Sequence, residues 1–89
     1  MLIALIARDK PGALQTRLDN RSAHLGYIEE TGVVSQAGPL LDGDTMIGSL
    51  IILDVEDLAA AQVWADTDPY AKAGLFQSAE LIPWKKVIG

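Results

Sequence analysis

The chain has 89 residues, one histidine, no cysteine and a formal charge of −5 at pH 7. That length suits one small domain over residues 1–89, and the missing cysteines exclude disulfides, thiolate metal sites and a cysteine nucleophile. A pI near 4.5 speaks against sequence-independent binding of nucleic acid, which relies on Lys and Arg to displace counterions; the expected ligand is a small molecule. Hydrophobic residues make up 49% of the chain, more than a monomer of this size needs to cover one face of one sheet, so a homodimer with a buried interface is expected.

The first apolar run, Leu2 to Ala7, is continuous rather than alternating and predicts a strand covered on both faces. It has no positive segment before it and Arg8-Asp9-Lys10 directly after it, so it fails as a signal peptide and is too short to cross a bilayer; a cytoplasmic protein without membrane association is the expectation. Pro11 suits the first turn of a helix, which is predicted to run to about Thr31 and end on Gly32 as a C-cap. On that helix Arg17, Arg21 and His24 form one polar edge beside an apolar stripe of Leu14, Leu18, Leu25 and Ile28, the stripe being the face expected to be buried.

Val33 to Leu41 predicts a second strand, interrupted near Gly38-Pro39, where proline marks an edge or bulge. Asp42-Gly43-Asp44 carries a hairpin signal, leading to a central strand over Thr45–Leu53 in which Gly48 permits close backbone approach. Asp54, Glu56 and Asp57 place negative charge at the start of a second helix, with Leu58, Ala61 and Ala65 as its apolar stripe and its end before Asp68-Pro69. Leu75 to Ile82 predicts the last strand. The order β-α-β-β-α-β is the ferredoxin-like arrangement, an α+β fold with both helices on one face of an antiparallel sheet; the other face needs a cover, and a second copy is the simplest.

His24 is the one side chain whose ordinary pKa, about 6.5, suits proton exchange near neutral pH. Asp68 is its candidate partner, orienting the imidazole as the acid of a triad does, while Ser49 is placed to meet a substrate oxygen. No G-x-S-x-G elbow surrounds Ser49, which disfavours a serine hydrolase. Arg8, Arg17 and Arg21 are candidates to receive a carboxylate, Gly38 and Pro39 stand at the expected pocket rim, and Tyr70 follows the acidic turn. The competing readings are structural: a histidine at a helix edge, an ordinary Asp-Pro turn and solvated arginines. No metal or other cofactor is expected.

Arg21-x-x-His24-x-x-Tyr27, Gly32, Ala37-Gly38-Pro39, Gly48-Ser49, Asp68-Pro69-Tyr70 and Gly74-Leu75-Phe76, in this order and across almost the whole chain, resemble the YciI-like family. The resemblance implies a ferredoxin-like fold, a dimer related to the dimeric α+β barrels, and a pocket with a His–Asp pair, here His24 and Asp68 with Ser49 nearby. It does not imply one reaction: a relative acts in dehydrochlorination of a chlorinated aromatic, and related barrels include muconolactone isomerases. The resulting expectation is a small enzyme using the pair for general acid–base chemistry of lyase or isomerase type on a small oxygenated or aromatic compound. The alternatives are a noncatalytic metabolite-binding module and an interaction subunit.

Overall fold

A computed structural model describes residues 1–89. The apolar N-terminal run extends two residues past its hydrophobic pattern, giving β1 over Leu2–Asp9. The two strands that follow, β2 (Val34–Asp42) and β3 (Thr45–Asp54), form a hairpin around Gly43, whose φ of 59° is the left-handed geometry such a turn needs. With β4 (Phe76–Pro83) they build one antiparallel sheet in the order β2-β3-β1-β4, so β1 and β3 are central and β2 and β4 are edges. This is the α+β, ferredoxin-like arrangement expected from the sequence.

Strand alternation divides the sheet. Ile3, Leu5, Ile51 and Leu53 face the helices and are fully or almost fully buried, packing with Ala61, Trp64 and Ala65 of α2 (Leu58–Thr67). On the other face, Ala4 pairs with Ile52 and Ile82, and Ile6 with Leu50. Leu50 and Ile82 there stay 40% and 44% exposed, so that face is apolar and uncovered within one chain. Gly48 has a steric role: a Cβ there would overlap the carbonyl oxygen of Ala7 on β1 and come within 3.1 Å of Leu40 Cδ1.

Helix α1 spans Leu14–Thr31 and ends, as expected, at Gly32, whose left-handed backbone N–H donates to the Ile28 carbonyl. Its start differs from expectation. Gly12 adopts φ of 72°, which no helix accommodates, so Pro11 belongs to a turn before the helix. Its buried face also differs, because Arg17 and His24 are 3% and 6% exposed while Leu14, Leu18 and Leu25 are 40–50% exposed. The polar edge faces inward and most of the leucine stripe faces outward. Only the Tyr27–Ile28 end of the inner face packs against the apolar core.

Two further differences concern backbone continuity. β2 is not interrupted at Gly38-Pro39, since Gly38 pairs with Leu50 and Pro39 with Ser49; the irregularities lie between Val34 and Gln36 and between Leu40 and Leu41. Proline is tolerated because β2 is an edge and one side of the strand has no ladder to join. After α2, capped by the Asp57 carboxylate accepting from Ala60 N–H at 2.8 Å, the chain forms an additional short helix, α3 (Pro69–Lys72), where a simple turn was expected. None of the helices is long and apolar enough to cross a membrane.

Candidate functional site

Pro69 disfavours helical geometry at the residue before it, and Asp68 accordingly takes an extended ψ of 129° that separates α2 from α3. Its carboxylate turns inward and is fully buried. One oxygen, Oδ1, accepts the Tyr70 backbone N–H at 3.0 Å and lies 2.8 Å from His24 Nδ1; the other, Oδ2, has no protein partner. A carboxylate against Nδ1 favours the tautomer with the hydrogen on Nδ1, which leaves the lone pair on Nε2, a nitrogen with no partner in the chain.

The second half of the site is built on Arg17. Its Nε donates to Asp9 Oδ2 at 2.7 Å and its Nη2 to Asp9 Oδ1 at 2.9 Å, a bidentate clamp, and Nη2 also donates to Ser49 Oγ at 2.9 Å. Burial, the largest influence on Arg17, pulls toward neutrality, but the hydrogen bond and charge of Asp9 turn the net shift upward, so the guanidinium stays protonated. Tyr70 joins the two halves. Its ring stacks on His24 at 3.9 Å between centroids and 16° between planes, and the Arg17 guanidinium carbon is 4.7 Å from the same ring's centroid. Burial raises the Tyr70 pKa above its ordinary value, with Arg17 opposing the shift.

These groups open onto a cavity of about 180 Å³ between α1 and the β2–β3 hairpin. Arg17, Arg21, His24, Ser49 and Tyr70 supply polar and aromatic wall, and Leu25, Ile28, Met46 and Ile51 supply apolar wall, with the Ala37-Gly38-Pro39 segment of β2 at one side. Arg21 is exposed and has no ion-pair partner. No three His, Asp or Glu side chains converge in a way that would hold a metal ion.

The structure therefore brings together His24, Asp68, Ser49, Arg21, Gly38, Pro39 and Tyr70. It does not bring Arg8, which is exposed and shares the open sheet face with its pairing partner Gly48, while Asp9, one residue later, faces the helices. Asp9 is the member that the sequence reading missed, and Arg17, a candidate there for a substrate carboxylate, is paired with it instead. Arg17 was visible on the polar edge with His24, two helical turns away; Asp9 was readable only from strand parity. Nearby, the Tyr27 hydroxyl donates to the Trp64 carbonyl at 2.9 Å and Trp64 Nε1 to Thr31 Oγ1 at 3.0 Å, holding α1 against α2.

A ferredoxin-like sheet whose first helix turns a histidine and an arginine toward a small cavity defines a class of compact α+β small-ligand folds. Within it, the YCII-related domain model matches residues 1–85, and the chain belongs to that family. It is 38% identical to "Protein YciI" of Escherichia coli O6:H1, covering 98% of this chain and 99% of that one. It is also 33% identical to an uncharacterized protein of Haemophilus influenzae over the same shares of the two chains. Among solved structures it resembles 5-chloro-2-hydroxyhydroquinone dehydrochlorinase (TftG) from Burkholderia phenoliruptrix AC1100, in complex with 2,5-dihydroxybenzoquinone. The TM-score is 0.89 with 36% identity, covering 96% of this chain and 94% of that chain. An antibiotic biosynthesis monooxygenase shares the fold, with a TM-score of 0.62 at 15% identity.

Proposed function

We propose that this protein is a small-molecule enzyme in which His24, oriented by Asp68, moves a proton on a small oxygenated or aromatic compound in a lyase or isomerase reaction. The observation that carries this is the buried 2.8 Å contact between His24 Nδ1 and Asp68, which leaves Nε2 free at the cavity wall. In the step, an O–H or C–H bond of the substrate breaks and its hydrogen goes to the Nε2 lone pair. Asp68 stabilises the imidazolium so formed. Return of the proton to another atom completes an isomerisation; departure of a substituent with the electron pair completes an elimination. Similarity to a dehydrochlorinase that holds a dihydroxybenzoquinone supports an oxygenated ring as the substrate class, and a cavity of about 180 Å³ admits a compound of that size.

The working unit proposed is a homodimer, in which the apolar sheet face around Ala4, Ile6, Leu50 and Ile52 packs on its counterpart. The test is a panel of hydroxylated and halogenated ring compounds incubated with wild type and His24→Ala, with turnover and binding both measured. Turnover that falls about 10²–10⁴-fold while binding persists is the expected result. Binding without turnover in either protein would make this a ligand-binding module instead.

A further inference from the structure

The cavity is open at its mouth and its rim is apolar: Leu25 on α1 is 50% exposed, and Pro39 on β2 is exposed as well. The C-terminal tail, residues 84–89, is equally uncovered, with Trp84, Val87 and Ile88 at 41%, 82% and 91%. We infer that in the homodimer the tail of each copy closes the cavity mouth of its partner, so that Val87 and Ile88 complete the partner's wall against a bound ring. This rests on the dimer proposed above and adds side chains that each copy lends to the other's site.

Topology carries the inference. β4 runs antiparallel to β1 from Phe76, beside Asp9, to Pro83, beside Ile3. The tail therefore leaves the sheet at its β4 edge and at the end where the chain begins, with the Trp84 N–H still donating to the Leu2 carbonyl at 2.9 Å. The cavity lies at the β2 edge and toward the other end, where Ser49 is flanked by Pro39 and Ala7. These are diagonally opposite corners of one sheet. Pro83 and Pro39 are separated by four residues along the strands and three strands across, roughly 20 Å at ~3.3 Å per residue and ~4.8 Å per strand. The six tail residues span at most about 20 Å when extended, and they set out in the opposite direction. The tail cannot reach the cavity of its own chain.

A two-fold axis gives it another destination. In an isologous dimer every contact occurs twice, and an axis lying between the two open sheet faces, along the sheet's other diagonal, exchanges the two corners. Each tail corner then lies on the partner's cavity corner, with the strands crossing at near right angles, a recognised way for sheets to pack. Trp84 has the strand parity of Ile82 and continues the apolar open face to that corner. Charge agrees. The tail brings Lys85 and Lys86, while exposed Glu29 follows the Ile28 wall of the cavity and exposed Asp42 and Asp44 precede Met46 on the hairpin. None of these five groups has an ion-pair partner within the chain.

The chain has no cysteine, so disulfide trapping is free of background. Leu25→Cys/Ile88→Cys is oxidised as the full-length protein beside Val63→Cys/Ile88→Cys, whose Val63 is 66% exposed on α2 and absent from the cavity wall. The first variant should give a covalent dimer at twice the 9.5 kDa chain mass, with peptides joined between positions 25 and 88 of different copies, and the second should stay single-chain. A link within one chain, links between positions 88 alone, or equal trapping through Val63 would overturn the tail contact. Val87→Ser/Ile88→Ser tests what the contact contributes. Titrated by absorbance, 2,5-dihydroxy-1,4-benzoquinone should bind about ten- to a hundredfold more weakly, as when one buried aliphatic side chain is withdrawn, while sedimentation still gives a dimer. Undiminished binding would overturn the closure; if wild type takes up no quinone, trapping decides alone. A wild type that sediments as a monomer overturns dimer and tail contact together, whereas a dimer without the 25–88 link overturns the tail contact alone. The His24→Ala turnover assay is independent of both.

Discussion

Replacing Asp9 by asparagine keeps the shape of the side chain and removes the counter-charge of a guanidinium that is 3% exposed. Two short hydrogen bonds, at 2.7 and 2.9 Å, become at best one, and the positive charge stays in place because a guanidinium keeps its proton in proteins. The attraction of two charges ~4 Å apart at an effective dielectric of ~20 is about 4 kcal/mol, in line with the ~3–5 kcal/mol that breaking one side of a buried pair costs. A chain of this length has a total stability of roughly 4–13 kcal/mol. Asp9→Asn should therefore lower the thermal midpoint by at least ~12 °C, at ~4–8 °C per kcal/mol. Removing both charges in Asp9→Asn/Arg17→Met should recover part of that loss, because no charge is then left buried without a partner. Urea unfolding of wild type, single and double variants gives the numbers. A loss below ~1 kcal/mol in the single variant is the behaviour of a surface pair and would refute the burial argument, as would a double variant no more stable than the single.

Gly48→Ala should destabilise by ~1–3 kcal/mol or more, because the added methyl meets the fixed Ala7 carbonyl and Leu40; an unchanged urea midpoint would contradict it. Both tyrosines of the chain, Tyr27 and Tyr70, have pKa values raised above the ordinary value of about 10 by burial. The stability gained by keeping these phenols neutral is fully present below pH ~10 and is lost as pH rises through their native values. Alkaline titration by ultraviolet absorbance should thus show little phenolate until the fold begins to fail, and half-ionisation at pH ~10 in the folded protein would count against it. Sedimentation equilibrium should give twice the 9.5 kDa chain mass, with more than ~2,000 Å² buried in total; a stable folded monomer at micromolar concentration would remove the dimer.

The sequence carried the element order, the hairpin at Asp42-Gly43, the α1 stop at Gly32 and the central strands, because each has a local cause in turn chemistry or a long apolar run. It also carried His24 and Asp68, through motif resemblance. The face of α1 was read backwards for a physical reason. Hydrophobic patterning assumes that a buried face is apolar, yet here the inner face carries Arg17 and His24, whose Nε, Nη2 and Nδ1 atoms find partners in Asp9, Ser49 and Asp68 on other elements. Such satisfaction is not visible in a local window. Arg8 was misplaced by a single residue of strand parity, which a continuous apolar run with no alternation leaves undetermined.

Asp68 performs a secondary-structure task as well as facing His24. It stands before a proline and holds the first turn of α3 by accepting the Tyr70 N–H, a duty any small helix start asks of an aspartate. Because the cap is buried and its carboxylate is aimed at α1, a single histidine on the facing helix is enough to make it half of the proposed proton-transfer pair. The route runs backwards as easily: a lineage that loses His24 keeps a working cap. Chemistry of this kind is evolutionarily cheap to gain and to discard, and a scaffold built this way can diversify in reaction while its architecture stands still.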